Sequence, residues 1–294
     1  MRKVYYLMLV FSALLLGINF AINKQYQKSY GASLYAALFF NTLLGFSTTA
    51  IFLIFKGFKI GFSIYSCVMA AIEETLVICY TILGFKILKS LGSMAMYTLS
   101  LMSGGMVIPY ILGIAFLNEP FTYLRTAGLI LIIASVVLAN LSNLNSARKE
   151  IIMCIAVFLL NGCVSIVSKI HQTQTIYKTV SASDFVAFGG MFKFLISGAI
   201  FLTVKNKITE KNVNMNNIPR ALVIIAASAV ASGVSFMLQL KGASKLPATV
   251  LYPFITGGSI IFSAIIGGVV YRERTSLRLA LSLAVCFVGT LFFL

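Results

Sequence analysis

The sequence predicts an all-α integral membrane protein of ten transmembrane helices, arranged as two inverted five-helix repeats, residues 1–145 and 146–294. Three observations predict it. The chain is 60% hydrophobic and 10% charged, where a soluble domain is roughly half apolar and about a quarter charged. The apolar residues gather into runs long enough to cross a bilayer, separated by short basic loops. Finally, one stretch is written twice. Met94–Leu141 and Thr249–Leu294 each place a Tyr early (Tyr97, Tyr252), then a glycine pair (Gly104-Gly105, Gly257-Gly258). An apolar run to a Glu follows (Glu119, Glu273), then a short basic turn and a last apolar helix.

The spans follow from a ruler. A hydrocarbon core of about 30 Å needs about 20 helical residues. On that measure the helices cover 4–22, 32–55, 61–85, 92–117, 121–141, 151–169, 183–204, 219–240, 246–271 and 276–294. Backbone groups in lipid must bond within the chain, which leaves helices or a closed barrel. Alternation at period two is absent, so helices are expected. Arg2 and Lys3 before Val4–Ile22 imitate a signal peptide, but no small-x-small cleavage site follows, so the run is read as a retained first helix. The five cysteines all fall inside apolar runs. An odd number at these spacings fits neither a disulfide framework nor a zinc site, so they are read as small packing or lipid-facing residues.

The duplication reaches beyond the opening stretch. Gly17 precedes Lys24 by the same spacing as Gly162 precedes Lys169, and Lys86 precedes Tyr97 as Lys241 precedes Tyr252. Five helices per half is an odd number, so the halves insert in opposite senses. Inverted repeats of this kind place a substrate site near the midplane where they meet. Loop charges orient the chain only weakly: 9 Lys and Arg on the side of the N-terminus against 13 on the other lean towards N-outside. The net charge of +16 sits almost wholly in these loops, which suits anionic lipid headgroups rather than nucleic acid.

Few residues are able to carry chemistry. Glu73 and Glu74 occupy the centre of helix 3, and an ionised group there costs at least about 2.5–3.5 kcal/mol. Neighbours on a helix lie about 100° apart, so the pair is expected to split, one facing a cavity and the other a neighbouring helix. A carboxyl group so placed either couples protons to transport or holds helices together. Lys193, in the middle of helix 7, is beyond snorkelling reach of either interface. It either binds a substrate carboxylate or phosphate, or pairs with Glu73 or Glu74. Acid and base at one depth complement a zwitterion such as an amino acid. Asn19, Asn41 and Asn161 are intramembrane amides that need partners from another helix or a wet cavity. Tyr97 and Tyr252 either touch substrate or anchor at the interface. Pro109 and Pro253, with Gly104, Gly105, Gly257 and Gly258, permit bent or locally open helices, or simple close packing. Ala226–Gly233 reads as a tight helix–helix face. Glu119 and Glu273 cap or pair at helix ends, and His171 and Asp184 are placed in loops.

The blocks GGMVIPYILGIAFLNEPFTYLRTAGLILIIASVVL and GGSIIFSAIIGGVVYRERTSLRLALSLAVCFVGTL resemble the drug/metabolite transporter superfamily, specifically its ten-helix EamA-type permeases. The second block is also similar to the end of small multidrug resistance proteins. The resemblance implies alternating access around a central cavity, small organic substrates and often export. It implies a basic residue in the middle of helices 2 and 7. Lys193 matches this, and Asn41 stands at the helix 2 position. The first helix lacks the Glu that small multidrug resistance proteins use, and Pro253 lies further upstream of Glu273 than the pattern has it.

The function expected is therefore secondary transport of a small organic metabolite, amino-acid-like or drug-like, by a multi-pass protein of the cell membrane. Export coupled to protons or exchange comes first. Uptake of a small nutrient such as a sugar or cationic metabolite is the alternative, as is a receptor or assembly subunit. An enzyme is not expected: with Asp184 the only Asp and His171 the only His, placed in a loop, neither paired aspartates nor a buried Ser–His pair or a His-rich centre is expected. A channel is disfavoured because no charged ring or filter-like repeat appears. No cofactor or metal is expected. The partners are a small-molecule substrate and membrane lipid, in a monomer or a homodimer joined through small-residue faces of helices 5 and 10.

Overall fold

Lipid supplies no hydrogen bonds, so each apolar run closes its own backbone bonds as a helix. The computed structural model describes residues 2–31, 33–91, 94–140, 148–204, 218–271 and 277–294. Among these it contains ten α-helices and no strand. They are α1 (Arg2–Tyr30), α2 (Leu34–Phe55), α3 (Ile64–Leu91), α4 (Met94–Phe116), α5 (Tyr123–Asn140), α6 (Arg148–Thr173), α7 (Ala182–Val204), α8 (Ile218–Ala243), α9 (Ala248–Tyr271) and α10 (Leu277–Leu291).

Seven of these, α1 to α3 and α6 to α9, are long and apolar enough to cross a membrane. The apolar stretches described in α4, α5 and α10 are shorter: Ser100–Phe116, Tyr123–Leu138 and Ala280–Leu291. Helix number therefore matches the expected ten. Bulky apolar side chains face outward on most of the helices, among them Leu7, Phe55, Ile64, Val223 and Val269. Serines such as Ser12, Ser66, Ser228 and Ser235 are fully buried. Polar inside and apolar outside is the distribution of a multi-pass membrane protein, where lipid is the outer solvent.

Several boundaries move from the sequence expectation. α1 runs on to Tyr30 because Tyr26 and Tyr30 bury themselves against Ala221 and Ile225 of α8, and the Tyr26 hydroxyl donates to Ala36 O at 3.1 Å. α6 continues to Thr173 and α7 begins at Ala182. His171 and Asp184 therefore lie in helices, not loops. Ser33 caps α2, its hydroxyl accepting from Ala36 N at 3.2 Å.

Helices in lipid gain little from mutual hydrophobic attraction, so close approach at small residues and polar ties hold them. The main pairings are α2 with α7, α4 with α6, α3 with α6, α1 with α8 and α9, and α5 with α10. α4 also meets α9, α3 meets α7, and α2 meets α8. At the α2–α7 crossing a Cβ on Gly45 would lie 2.7 Å from Gly190 O. Gly104 abuts the Phe158 carbonyl, bringing α4 onto α6. Gly128 and Gly289 face each other's carbonyls across α5 and α10, and Ser282 Oγ donates to Ser135 O at 2.8 Å. The small-residue faces of α5 and α10 thus meet each other. Ala226–Gly233 also packs inward, as expected: Ser228 Oγ donates to Asn19 Oδ1 at 2.6 Å, tying α8 to α1.

Gly45→Ala inserts a methyl against backbone that has no room to yield, so it is expected to lower stability by about 1–3 kcal/mol. Gly268→Ala, where a Cβ meets nothing within 4 Å, is expected to be neutral or slightly stabilising through helix propensity. Melting of the detergent-purified variants checks both, and a Gly45→Ala protein that melts with the wild type would contradict the close crossing.

Candidate functional site

α3 brings two adjacent acids into the bundle, and both are buried, Glu73 at 3% and Glu74 at 7% exposure. Counting 1.5 Å per residue, they sit about 14 Å along α3 from its start, and Lys193 sits about 16 Å along α7. Both depths are near half of a hydrocarbon core. The pair splits as the helical angle requires, although each acid faces a helix rather than an open cavity. Glu73 turns to α6, where Ser168 Oγ donates to its Oε1 at 2.9 Å. Glu74 turns to α7, where Lys193 Nζ stands 3.2 Å from its Oε2. Gly189 makes room for this contact, since a Cβ there would sit 3.1 Å from Glu74 Oε1.

The balance of charge is uneven. Two carboxyl groups share one ammonium. Lys193 is placed to offset Glu74, while Glu73 has a serine on one oxygen. Among the described residues its other oxygen, Oε2, has no hydrogen-bond partner. A buried carboxylate left without a partner carries a desolvation cost of several kcal/mol. The site therefore holds two buried carboxyl groups against one ammonium, and Glu73 lies on the side away from the ion pair. The Tyr252 hydroxyl, from α9, donates to Ser165 O of α6.

The other expected site residues distribute as follows. Asn161 Nδ2 donates to Leu101 O of α4 at 2.7 Å and lies against Gly105. It joins two helices and does not reach the carboxylates. Asn41 Nδ2 donates to Ala37 O of its own helix at 3.0 Å. The side chain of Tyr97, and Glu273 altogether, lie outside the described residues. Neither glycine pair interrupts its helix. α4 runs through Gly104, Gly105 and Pro109, and α9 through Pro253, Gly257 and Gly258. Gly257 packs on Thr290 and Gly258 on Ala13.

Sequence reasoning missed the lower half of α6. Ser168 and Lys169 are buried, although Lys169 was expected among loop charges. Lys169 Nζ donates to Ala243 O at 2.8 Å and Leu246 O at 2.5 Å, the last carbonyls of α8 and its following turn. It also lies 3.8 Å from Glu119 Oε1. Glu119 in turn accepts from Ala248 N at 2.6 Å and Thr249 N at 2.8 Å, the first amides of α9. It does cap a helix, as expected, but one distant in sequence, with its side chain largely buried at the end of the bundle. The expectation that no Ser–His pair is buried fails here: because α6 runs on past Lys169, His171 is fully buried, bonded to Ser66 Oγ at 2.8 Å and stacked on Phe185. Asp184 pairs with Lys56 at 3.3 Å. The available signal was the cluster of polar residues in VSKIHQT, whose last four residues a ruler ending the span at Lys169 assigned to a loop.

A groove of about 420 Å³ lies on the outer side of α5, lined by Ile130, Ile133, Ala134, Val137 and Leu138. It is apolar and remote from the charged residues. Among the described residues no group of three or more His, Cys, Asp or Glu is placed to hold a metal ion.

No family model and no curated protein matches the chain. Its fold is nevertheless similar to that of a solved protein described only as a crystal structure. The two superpose with a TM-score of 0.74 at 15% identity, covering 99% of this chain and 96% of the other. That likeness is one of fold alone, and it extends over the whole bundle.

Removing one partner of a buried ion pair leaves the other charge exposed to a low dielectric, at a cost of about 3–5 kcal/mol. Lys193→Met and Glu74→Gln are each expected to destabilise the protein. The double variant is expected to recover part of the loss, because it leaves less charge unmatched. A double-mutant cycle of thermal melts checks this, and strictly additive losses would show that the pair does not interact.

Proposed function

We propose that this chain is a secondary transporter that moves a small organic solute, amino-acid-like or drug-like, across the cell membrane by alternating access. Export coupled to protons or exchange is the direction we favour. The observation that carries this reading is the buried Glu73–Glu74–Lys193 group at half depth, with Glu73 on the side away from the ion pair. Ionisable residues at the centre of a bilayer are costly, and they mark substrate and proton pathways. In this scheme Glu74 and Lys193 hold α3 to α7, and Glu73 takes up and releases the proton as the protein turns over.

Two further features support it. Exchanging each helix of α1–α5 with its counterpart five places later carries the main pairings onto one another: α1–α8 onto α6–α3, α1–α9 onto α6–α4, and α2–α8 onto α7–α3. The pairs α2–α7, α4–α9 and α5–α10 map onto themselves. That pattern is expected of two related five-helix units, residues 1–145 and 146–294, inserted in opposite senses. The resemblance of the two glycine-to-glutamate blocks to EamA-type permeases points the same way. We read the chain as a carrier rather than an enzyme.

Purified protein in proteoliposomes tests the proposal, with a panel of amino acids and amphiphilic amines assayed under an imposed pH gradient and in exchange mode. Wild type is expected to show saturable flux of at least one solute class. Glu73→Gln is expected to lower gradient-driven flux about tenfold or more, since a bond to a charged group contributes about 1.5–3 kcal/mol, while exchange persists. Full gradient-driven flux in Glu73→Gln would remove that residue from coupling. Flux that never saturates with any solute would sink the carrier reading.

A further inference from the structure

The helices alternate in direction, so the start of α1 and the α2–α3, α4–α5, α6–α7 and α8–α9 connections share one end of the bundle. That end is fastened by long-range bonds. Lys56 pairs with Asp184 at 3.3 Å, Ser63 Oγ donates to Lys178 O at 2.5 Å, and Tyr6 donates to Phe293 O at 3.3 Å. Of its two ion pairs among the described residues the more enclosed is the Glu119–Lys169 clasp, with side-chain exposures of 9% and 7%.

The clasp has an unusual construction. α8 ends and α9 begins across the short turn 244–247. A base holds the last carbonyls of α8 and an acid holds the first amides of α9, which is the arrangement that the two helix dipoles favour. The acid comes from the α4–α5 connection and the base from α6. Asn118, at φ 52°, turns the chain at the end of α4 so that Glu119 points beneath α9. Gly113 leaves the space, since a Cβ there would sit 2.8 Å from Glu119 Oε2.

Breaking such a clasp in a dry interior strands two charges, two carbonyls and two amides at once, each at a desolvation cost. Breaking it with water entering is far cheaper, because water replaces every partner. The clasp thus favours two states, closed and dry or open and wet, and disfavours those between. Its position connects it to the midplane acids. Ser168 holds Glu73 and Lys169, the next residue, holds the clasp. One turn earlier Ser165 accepts from Tyr252 of α9. A shift of α6 that alters one of these contacts moves the others.

We propose, resting on the transport reading above, that the Glu119–Lys169 clasp is the lock of this end of the carrier, and that the segment Ser165–Lys169 of α6 transmits the state of Glu73 to it. Glu119, Lys169 and Ser168 are then positioning residues that set when the end opens.

Hydrogen–deuterium exchange of the full chain in lipid nanodiscs tests this without a known substrate. Glu119→Gln and Lys169→Met are expected to speed exchange about tenfold or more in residues 250–256 and 9–13, beyond the amides Glu119 itself holds. Residues 221–229, towards the other end of α8, are expected to stay unchanged. Glu73→Gln, which touches neither Glu119 nor α9's first turn, is expected to change exchange in residues 250–256 by about threefold or more. Acceleration confined to residues 248 and 249 would reduce the clasp to a local helix cap and overturn the lock. No response to Glu73→Gln would overturn the transmission through α6. Glu119→Asp, which keeps the charge on a shorter arm, serves if Glu119→Gln fails to reach the membrane. Exchange that responds as expected in a protein moving no solute in proteoliposomes would keep the two-state clasp and end the transport reading. Solute flux with an unresponsive clasp would do the reverse.

Discussion

A charge inside hydrocarbon persists only beside a partner, and the scarcity of partners governs how α3, α6 and α7 meet. Glu73 and Glu74 are adjacent, so the helical angle sends them to different neighbours. α7 answers with Lys193 and α6 with Ser168. Neither helix has freedom to rotate without leaving an acid stranded. The same requirement acts at the end of the bundle, where Lys169 and Glu119 complete the termini of α8 and α9. α6 takes part in both, which makes it the element on which the polar interior turns.

Around that polar skeleton the apolar packing is permissive in chemistry and strict in distance. Lipid is as apolar as the side chains, so helices associate where backbones come close. Gly45 against Gly190, Gly104 against Phe158, and Gly128 against Gly289 supply those approaches. Serine ties such as Ser12 with Ser235 fix register between helices that glycine has brought together. The outward faces, rich in Phe, Leu and Ile, carry no such demands beyond apolarity.

Much of this was legible along the chain. Hydropathy locates ten helices because lipid removes every alternative for the backbone. Glu73, Glu74 and Lys193 stand out because ionisable residues are so rare in apolar runs. Which acid takes Lys193 was not legible, since it depends on the relative rotation of α3 and α7. Lys169, His171 and Asp184 were read with the loops because spans measured by bilayer thickness, 151–169 and 183–204, place them at or just beyond a span end. In the structure α6 and α7 extend further and the ends of neighbouring helices bury these side chains. Glycine pairs with a proline downstream or upstream left helix breaks and close packing both open. In the fold they are contact points within continuous α4 and α9.

The sequence by itself determined the solvent, the helices and the few residues with chemistry to offer, because those follow from composition and from spacing along one dimension. Tertiary structure alone decided the partners. Whether Lys193 faces an acid or a solute, whether Glu119 caps its own helix or a distant one, and whether two small-residue faces meet are questions of orientation between helices. A hydrogen bond or ion pair is settled over 3 Å, whereas hydropathy constrains positions only to a helix turn.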